Sequence, residues 1–542
     1  MVSGPLQGLA ERRRSRGRSI VLVLGALALL ASACGGTSAS AGGGDSGNTL
    51  IIGMTATNLP GTDGQYAQSE GGEGLRFVGL MMYDGLTKMD LLQGDHTPEI
   101  KPGLAESWTV TPDASTWTFK LRPNVKFHDG SPWNADAAMW NLNRMAIKSS
   151  PEFEQEINSL GGLLLGGIDT VTKVDDMTIV INTKGPYSYL DTDLSLVTMV
   201  SPEAFKKAGG HDAFSEAPSG TGPFKFESME RGQQLTMVRY DDYWGPKAKL
   251  DKLVLRPIPD ATARVAALRS GEVNWIEVPP PDEVPTLKDA GFQMLTNAYS
   301  HVWPWVLDTT KKPFDDLRVR QAVNYAINRD AISKDILQGT GRPALQYAPA
   351  GDPGYDPKLD TYRYDPAKAK QLLAEAGYPD GVTIDVVFPP SGSGNMVPVP
   401  MNESMQRDLA AVGVKVNLKP LEWSALLGDY FSGKIPQEAH AVNISLGFVF
   451  PSLWGTFFLS DSSVNVGKSK SPEVDAAINK AKTKLDPKER SDAFAEANKA
   501  LLDSAPWLLV VNDLNPRTLA PNVKGFVMPQ SWYIDLTTVT VE

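Results

Sequence analysis

Residues capable of chemistry are few in this chain and widely separated. The five histidines, His96, His128, His211, His301 and His440, include no pair at helical spacing of the kind that lets two imidazoles share a metal ion. Cys34 is the single thiol, so neither an intrachain disulfide nor a thiolate metal cluster can form. His128-Asp129-Gly130 could act as an imidazole–carboxylate pair, but an Asp-Gly step after a strand-like run reads as a turn. Gly220-Thr221-Gly222-Pro223 has the glycines of a phosphate loop without the Lys-Ser/Thr ending or the helix that follows. No HExxH helix, nucleophile elbow or dinucleotide fingerprint occurs in its required context. The expectation is a protein that is not an enzyme and has no cofactor and no metal site.

Binding is a better use for the aromatic residues. Trp303 and Trp305 stand two apart in SHVWPWVLD; on a strand they share one face, where they either pack in a core or wall a cleft. Trp423, in KPLEWSAL after a strand-like run, is a further cleft candidate. The net charge is −11, although five basic residues cluster between Arg12 and Arg18. The body that follows is acidic and repels phosphate backbones, so nucleic acid is not an expected partner.

The elements that must position these side chains alternate in type. With 42% hydrophobic and 21% charged residues over 542 positions, the chain has globular composition and room for several lobes. Thr49–Met54 reads as a strand and 75–86 as a helix. ESWTVTPDASTWTFKLR is a hairpin turning at Pro112-Asp113, 125–129 continues as a strand, and VTKVDDMTIVINT is a second hairpin. Asn134 caps a helix running to about Met145; another spans 316–329, with Val319, Val323 and Ile327 on one face. Asp365 caps a helix that Pro366 opens and Gly377 ends. VTIDVVF and VKVNLKP are strands around a helical stretch, and two helices follow at SPEVDAAINKAKTKL and PKERSDAFAEANKALL. The class is α/β with several sheets and no internal repeat.

The N-terminus is an address. ERRRSRGRS precedes the apolar run IVLVLGALALLASA, the pattern of a secretory signal and too short for a span of about 20 residues. Ala31-Ser32-Ala33-Cys34 resembles a bacterial lipobox. That resemblance implies removal of residues 1–33, lipidation of Cys34, and anchoring of an extracytoplasmic protein to the cell membrane. Residues 34–48 form a flexible Gly/Ser tether.

Five segments in order span nearly all of the mature chain: PGLAESWTVTPDASTWTFKLRPNVKFHDGSPWNADAA, GTGPFKFES, YDDYWGPKAKLDKLVLRPIPDATARVAALRSGEVNW, PFDDLRVRQAVNYAINRDAI and YDPAKAKQLLAEAGYPDG. Together they resemble the peptide/nickel-type, family 5 extracellular solute-binding proteins of bacterial ABC importers. The resemblance implies a periplasmic-binding-protein-like type II clamp of two α/β lobes with an extra inserted lobe. The first clamp lobe would take 49–83, 216–300 and 511–542, the insert 84–215, and the second clamp lobe 301–510. It implies a monomer that closes by a hinge on a small-molecule or peptide solute and delivers it to ABC permease and ATPase subunits. The alternative is a surface lipoprotein that senses a solute without transport.

Family peptide binders carry an aspartate in the second clamp lobe that pairs with the peptide amine. The matching stretch here is Asn443 to Trp454, where Gly447 takes the amine-pairing position and Phe450 replaces the Asp of an Asp-Pro pair. Gly447, Phe448, Phe450 and Trp454 therefore join Trp303, Trp305 and Trp423 as expected ligand-binding residues, with no acid in the stretch. Asp308 is a candidate replacement charge.

Overall fold

Side-chain caps fix most helix starts. Asn134 accepts from the Ala137 N–H and opens Ala135–Ala146, Asp260 opens Ala261–Ser270, and Asp365 with Pro366 opens Pro366–Glu375. Asp316 likewise caps Leu317–Ala326. That helix stops short of the expected Arg329, because Asn328 gives its N–H to Asp408 and caps a new turn. The stretch from Leu75 is not one regular helix. It contains a π-turn, Leu75–Gly79, then Leu80–Met82, and ends where Tyr83 becomes extended. These elements come from a computed structural model, which describes residues 48–65, 72–155, 157, 162, 164–447 and 451–542. The signal, Cys34 and nearly all of the tether lie outside the described residues.

Three sheets organise the described chain. The first has seven strands, in the order Gln293–Leu295, Arg517–Leu519, Trp275–Glu277, Thr49–Met54, Lys252–Pro257, Gln234–Arg239 and Phe224–Glu230. The second has six: Gly341–Pro343, Trp507–Asp513, Trp303–Leu307, Ala441–Asn443, Val382–Phe388 and Val414–Pro420. The third is a four-stranded antiparallel sheet in the order Ala105–Val110, Thr116–Leu121, Thr178–Thr183 and Ile168–Asp175, which contains both expected hairpins. Parallel strands of one sheet need long crossovers. Ala261–Ser270 supplies one between Lys252–Pro257 and Trp275–Glu277, and Pro398–Ala411 another between Val382–Phe388 and Val414–Pro420.

The expected strand over 125–129 is instead a turn, with one isolated bridge from Lys126 to Pro132. Two motifs meet there. The Gly220 N–H donates to His128 Nδ1 at 3.3 Å, and His128 Nε2 lies 3.0 Å from the Gly222 carbonyl. Burial lowers the His128 imidazole to about 4, so it stays neutral and structural. Gly220 and Gly222 press against the chain at Met82 and Tyr83, and a Cβ on Gly220 would lie 2.2 Å from the Met82 carbonyl oxygen.

Gly220→Ala should therefore destabilise the fold by about 3 kcal/mol, as overpacking against a backbone that cannot yield. Gly428, inside helix Trp423–Phe431, has nothing within 4 Å of a built Cβ. Gly428→Ala should stabilise by about 0.5–1 kcal/mol. Chemical denaturation of the two variants checks both signs.

Candidate functional site

The seven- and six-stranded sheets meet around Trp532. Its ring is 3% exposed, and the Arg76 guanidinium lies 3.9 Å from the ring centroid. Arg76 Nη2 donates to Glu277 Oε2 at 2.6 Å, while Arg517 Nε lies 3.4 Å from Glu277 Oε1. Arg517 Nη2 also donates to the Trp532 carbonyl at 3.1 Å. Arg76, Glu277 and Arg517 are fully buried, and burial lowers the Arg517 guanidinium to about 10. Glu73 sits 3.7 Å from Arg76 and accepts from Thr55 and the Ala56 N–H; burial raises its carboxyl despite these partners. The charges in this cluster are thus mutually engaged, and they fix the indole.

The other side of Trp532 belongs to the six-stranded part. A Cβ built on Gly447 would lie 3.4 Å from the Trp532 ring, and one on Gly394 would lie 3.7 Å from it. Gly72 lies against the indole edge, where a Cβ would come within 2.5 Å of Nε1. Trp532 Nε1 is buried and has no hydrogen-bond partner among the described residues.

Two segments connect the sheets beside this junction, and they are laced together. The Asn297 N–H donates to the Leu514 carbonyl, and Tyr299 OH donates to Asp513 Oδ2 at 2.8 Å. The Asp513 N–H donates to His301 Nδ1 at 2.9 Å. His301 must then carry its proton on Nε2, which donates to Ser445 Oγ at 2.9 Å, and Ser445 Oγ donates to the Gly394 carbonyl at 2.6 Å. Burial drives the His301 imidazole down to about 3 and the Asp513 carboxyl up to about 7. Asp513 Oδ1 has no partner among the described residues.

The structure gathers only some of the expected site residues here. Gly447 lies against Trp532. Trp423 opens helix Trp423–Phe431, and a Cβ on Gly392 would lie 2.6 Å from its ring; Gly392 and Gly394 share the loop that reaches Trp532. Trp303 and Trp305 are fully buried and face away, packed with Val319, Val323 and Leu508, and Trp305 Nε1 donates to Asn402 Oδ1 at 2.8 Å. Trp454 is buried against Phe458 and Phe494. Phe448 and Phe450 lie outside the described residues. Asp308 is 1% exposed and accepts from Thr310, with Lys311 and Lys468 near its other oxygen, so its charge is already engaged. Sequence reading missed Trp532, Arg76 and Arg517. A tryptophan 11 residues from the C-terminus has no local pattern that ties it to Gly447. Among the described residues no cluster of acids and histidines could hold a metal ion, and no helix is long and apolar enough to cross a membrane. The junction packs a buried indole against glycine backbone with no activated nucleophile among the described residues, which points to binding rather than catalysis.

Comparison with known proteins agrees. Residues 99–463 match the family model described as bacterial extracellular solute-binding proteins, family 5 Middle. Heme-binding protein A of Haemophilus influenzae is 31% identical over 465 residues, 82% of this chain and 84% of that protein. The dipeptide-binding protein of Escherichia coli is 31% identical over 457 residues, 80% of this chain and 84% of that protein. Among solved structures, the ABC transporter-associated periplasmic binding protein DppA from Helicobacter pylori, in complex with the peptide STSA, superposes with a TM-score of 0.80 at 27% identity, covering 92% of this chain and 98% of its own.

Asp513 makes stability depend on pH. A carboxyl raised from 3.8 to about 7 holds its proton in the folded state where the unfolded chain has lost it. The Asp513 contribution to stability is therefore full below about pH 4, falls as pH rises to about 7, and is flat above. Asp193 and Asp352, also raised to about 7 by burial, act in the same direction. Asp513→Asn should remove up to one proton from that slope, about 1.4 kcal/mol per pH unit. Denaturant titrations at pH 5, 6 and 7 measure it; parallel curves for both proteins would contradict this assignment.

Proposed function

Because this chain belongs to the family 5 bacterial extracellular solute-binding proteins, we propose that it captures a small organic solute between its seven- and six-stranded parts and hands it to an ABC importer. The fold is that of the type II periplasmic binding proteins, and family members of this kind are extracytoplasmic and bind rather than catalyse. The clamp lobes are 49–83 with 216–300 and the C-terminal stretch, against the stretch from 301, with 84–215 inserted; pairing of Trp507–Asp513 within the six-stranded sheet along its whole length supports a return crossing just after Asp513 rather than at 511. The lobes close by bending at the laced segments around His301 and Asp513. The signal 1–33 directs export, and lipidated Cys34 holds the mature protein to the membrane through the 34–48 tether. Cys34→Ser should shift the protein from the membrane pellet to the soluble fraction of fractionated cells; retention in the pellet would remove the lipid anchor from the account.

One observation carries the solute class: the Trp532 indole lies against Gly447, where family peptide binders place an acid. A peptide ammonium buried there would lack its partner, at a cost of about 3–5 kcal/mol. The nearby Arg76–Glu277–Arg517 charges are committed to one another, and Asp513 is 1% exposed behind Tyr299. Solutes without a free amine, such as sugars, blocked peptides or apolar molecules, suit the aromatic surface better. Calorimetric titration should find unblocked dipeptides such as Ala-Phe binding at least 100-fold more weakly than the N-acetylated form. Micromolar or tighter binding of the unblocked form would overturn this choice of solute.

A further inference from the structure

A cavity that includes neither Trp532 nor Gly447 among its lining residues lies between the four-stranded sheet with its flanking loops and the helices Trp454–Phe458 and Pro472–Lys482. Its volume is about 1160 Å³, enough for a drug-sized molecule. Its two walls are bonded together. Ser452 Oγ donates to Asp193 Oδ1 at 3.1 Å, Ser188 Oγ to the Ala481 carbonyl at 3.0 Å, and Arg490 Nη1 to the Ser188 carbonyl at 2.6 Å. The cavity is therefore held in shape by contacts that do not involve the Trp532 junction.

Lys482, in the last turn of its helix, projects into this space. It is half-buried, and burial holds its ammonium below the usual lysine range. Among the described residues its Nζ makes no hydrogen bond and no ion pair; Asp461 raises its pKa only from a distance beyond contact. A partly desolvated ammonium without a partner is an unfavourable arrangement that an anion would relieve. The Lys482 stem packs beside helix Trp454–Phe458: a Cβ built on Gly455 would lie 3.4 Å from Lys482 Cε and 3.5 Å from Nζ, ordinary contact distances. Among the described residues the charged lining is Lys148, Lys184 and Lys482 against Asp169 and Asp461, and Lys184 Nζ is held by the Gly166 carbonyl at 2.8 Å. Tyr189 and Phe431 supply apolar wall.

We propose that this side cavity binds a small organic anion, its carboxylate or phosphate on Lys482 Nζ and its apolar part against Tyr189 and Phe431. The site shares no lining residue with the Trp532 junction, although its walls belong to the inserted lobe and to the second clamp lobe. Calorimetric titration of the full chain with phenyl phosphate, benzoate and benzylamine tests it. At least one of the two anions should bind, and the stronger identifies the preferred headgroup; benzylamine should not bind. Lys482→Met should weaken anion binding at least tenfold. Its melting temperature should be equal or higher, because the variant removes a desolvated charge. Absence of binding by both anions at millimolar concentration, equal binding of benzylamine, or unchanged anion binding by a folded Lys482→Met protein would overturn the proposal.

Discussion

The buried ion cluster of Arg76, Arg517 and Glu277, with Glu73 at its side, is the constraint on which the site depends. Charges taken out of water are tolerable only when paired and hydrogen-bonded, and removing one member of such a set costs about 3–5 kcal/mol. This cluster draws on the turn Leu75–Gly79, the strand Trp275–Glu277 and the strand Arg517–Leu519. Both arginines also donate to the Trp532 carbonyl, and one covers its ring. The indole is thus held from behind by charges engaged with one another and with its own carbonyl, while Arg76 Nε and Arg517 Nε make no hydrogen bond among the described residues. What remains to recognise a solute is aromatic surface and the glycine-rich backbone opposite.

That opposite surface is reached through a continuous line of hydrogen bonds. It runs from the Asp513 N–H through the His301 ring and Ser445 to the Gly394 carbonyl, beside Trp532. The ring can serve this line only as the neutral tautomer, and burial enforces that state. The segments that join the two sheets and the loop that faces the indole are therefore one connected unit. A rotation at the crossings would move Gly394 and Gly447 against Trp532. This is the physical content of the proposed closure.

Much of the fold is legible in the sequence because its signals are local. Asn134, Asp316 and Asp365 announce helix starts through their own side chains, and alternation in TWTFKL marks a strand. The misread segments are those decided by distant partners. Asp408 ends the helix before Asn328, and Gly220 turns His128 into a bracing residue of a turn rather than part of a strand. The site was harder for the same reason. Gly447 was found through its place in a motif, whereas Trp532 acquires meaning only when the C-terminal segment returns across the junction. The pairing of Trp303 and Trp305 on one strand face was readable; which face met the helices was decided by tertiary packing.

The most direct test of the central claim is the distance between the two clamp lobes with and without solute. Spin labels at the exposed positions Lys288 and Lys415, in a Cys34→Ser chain, report it by pulsed dipolar spectroscopy. Protein purified with its co-bound solute should give one short distance, and protein stripped by denaturation and refolding should add a longer population that returns to the short one on re-addition of the extract. A single distance, identical in the loaded and stripped protein, would contradict capture by closure.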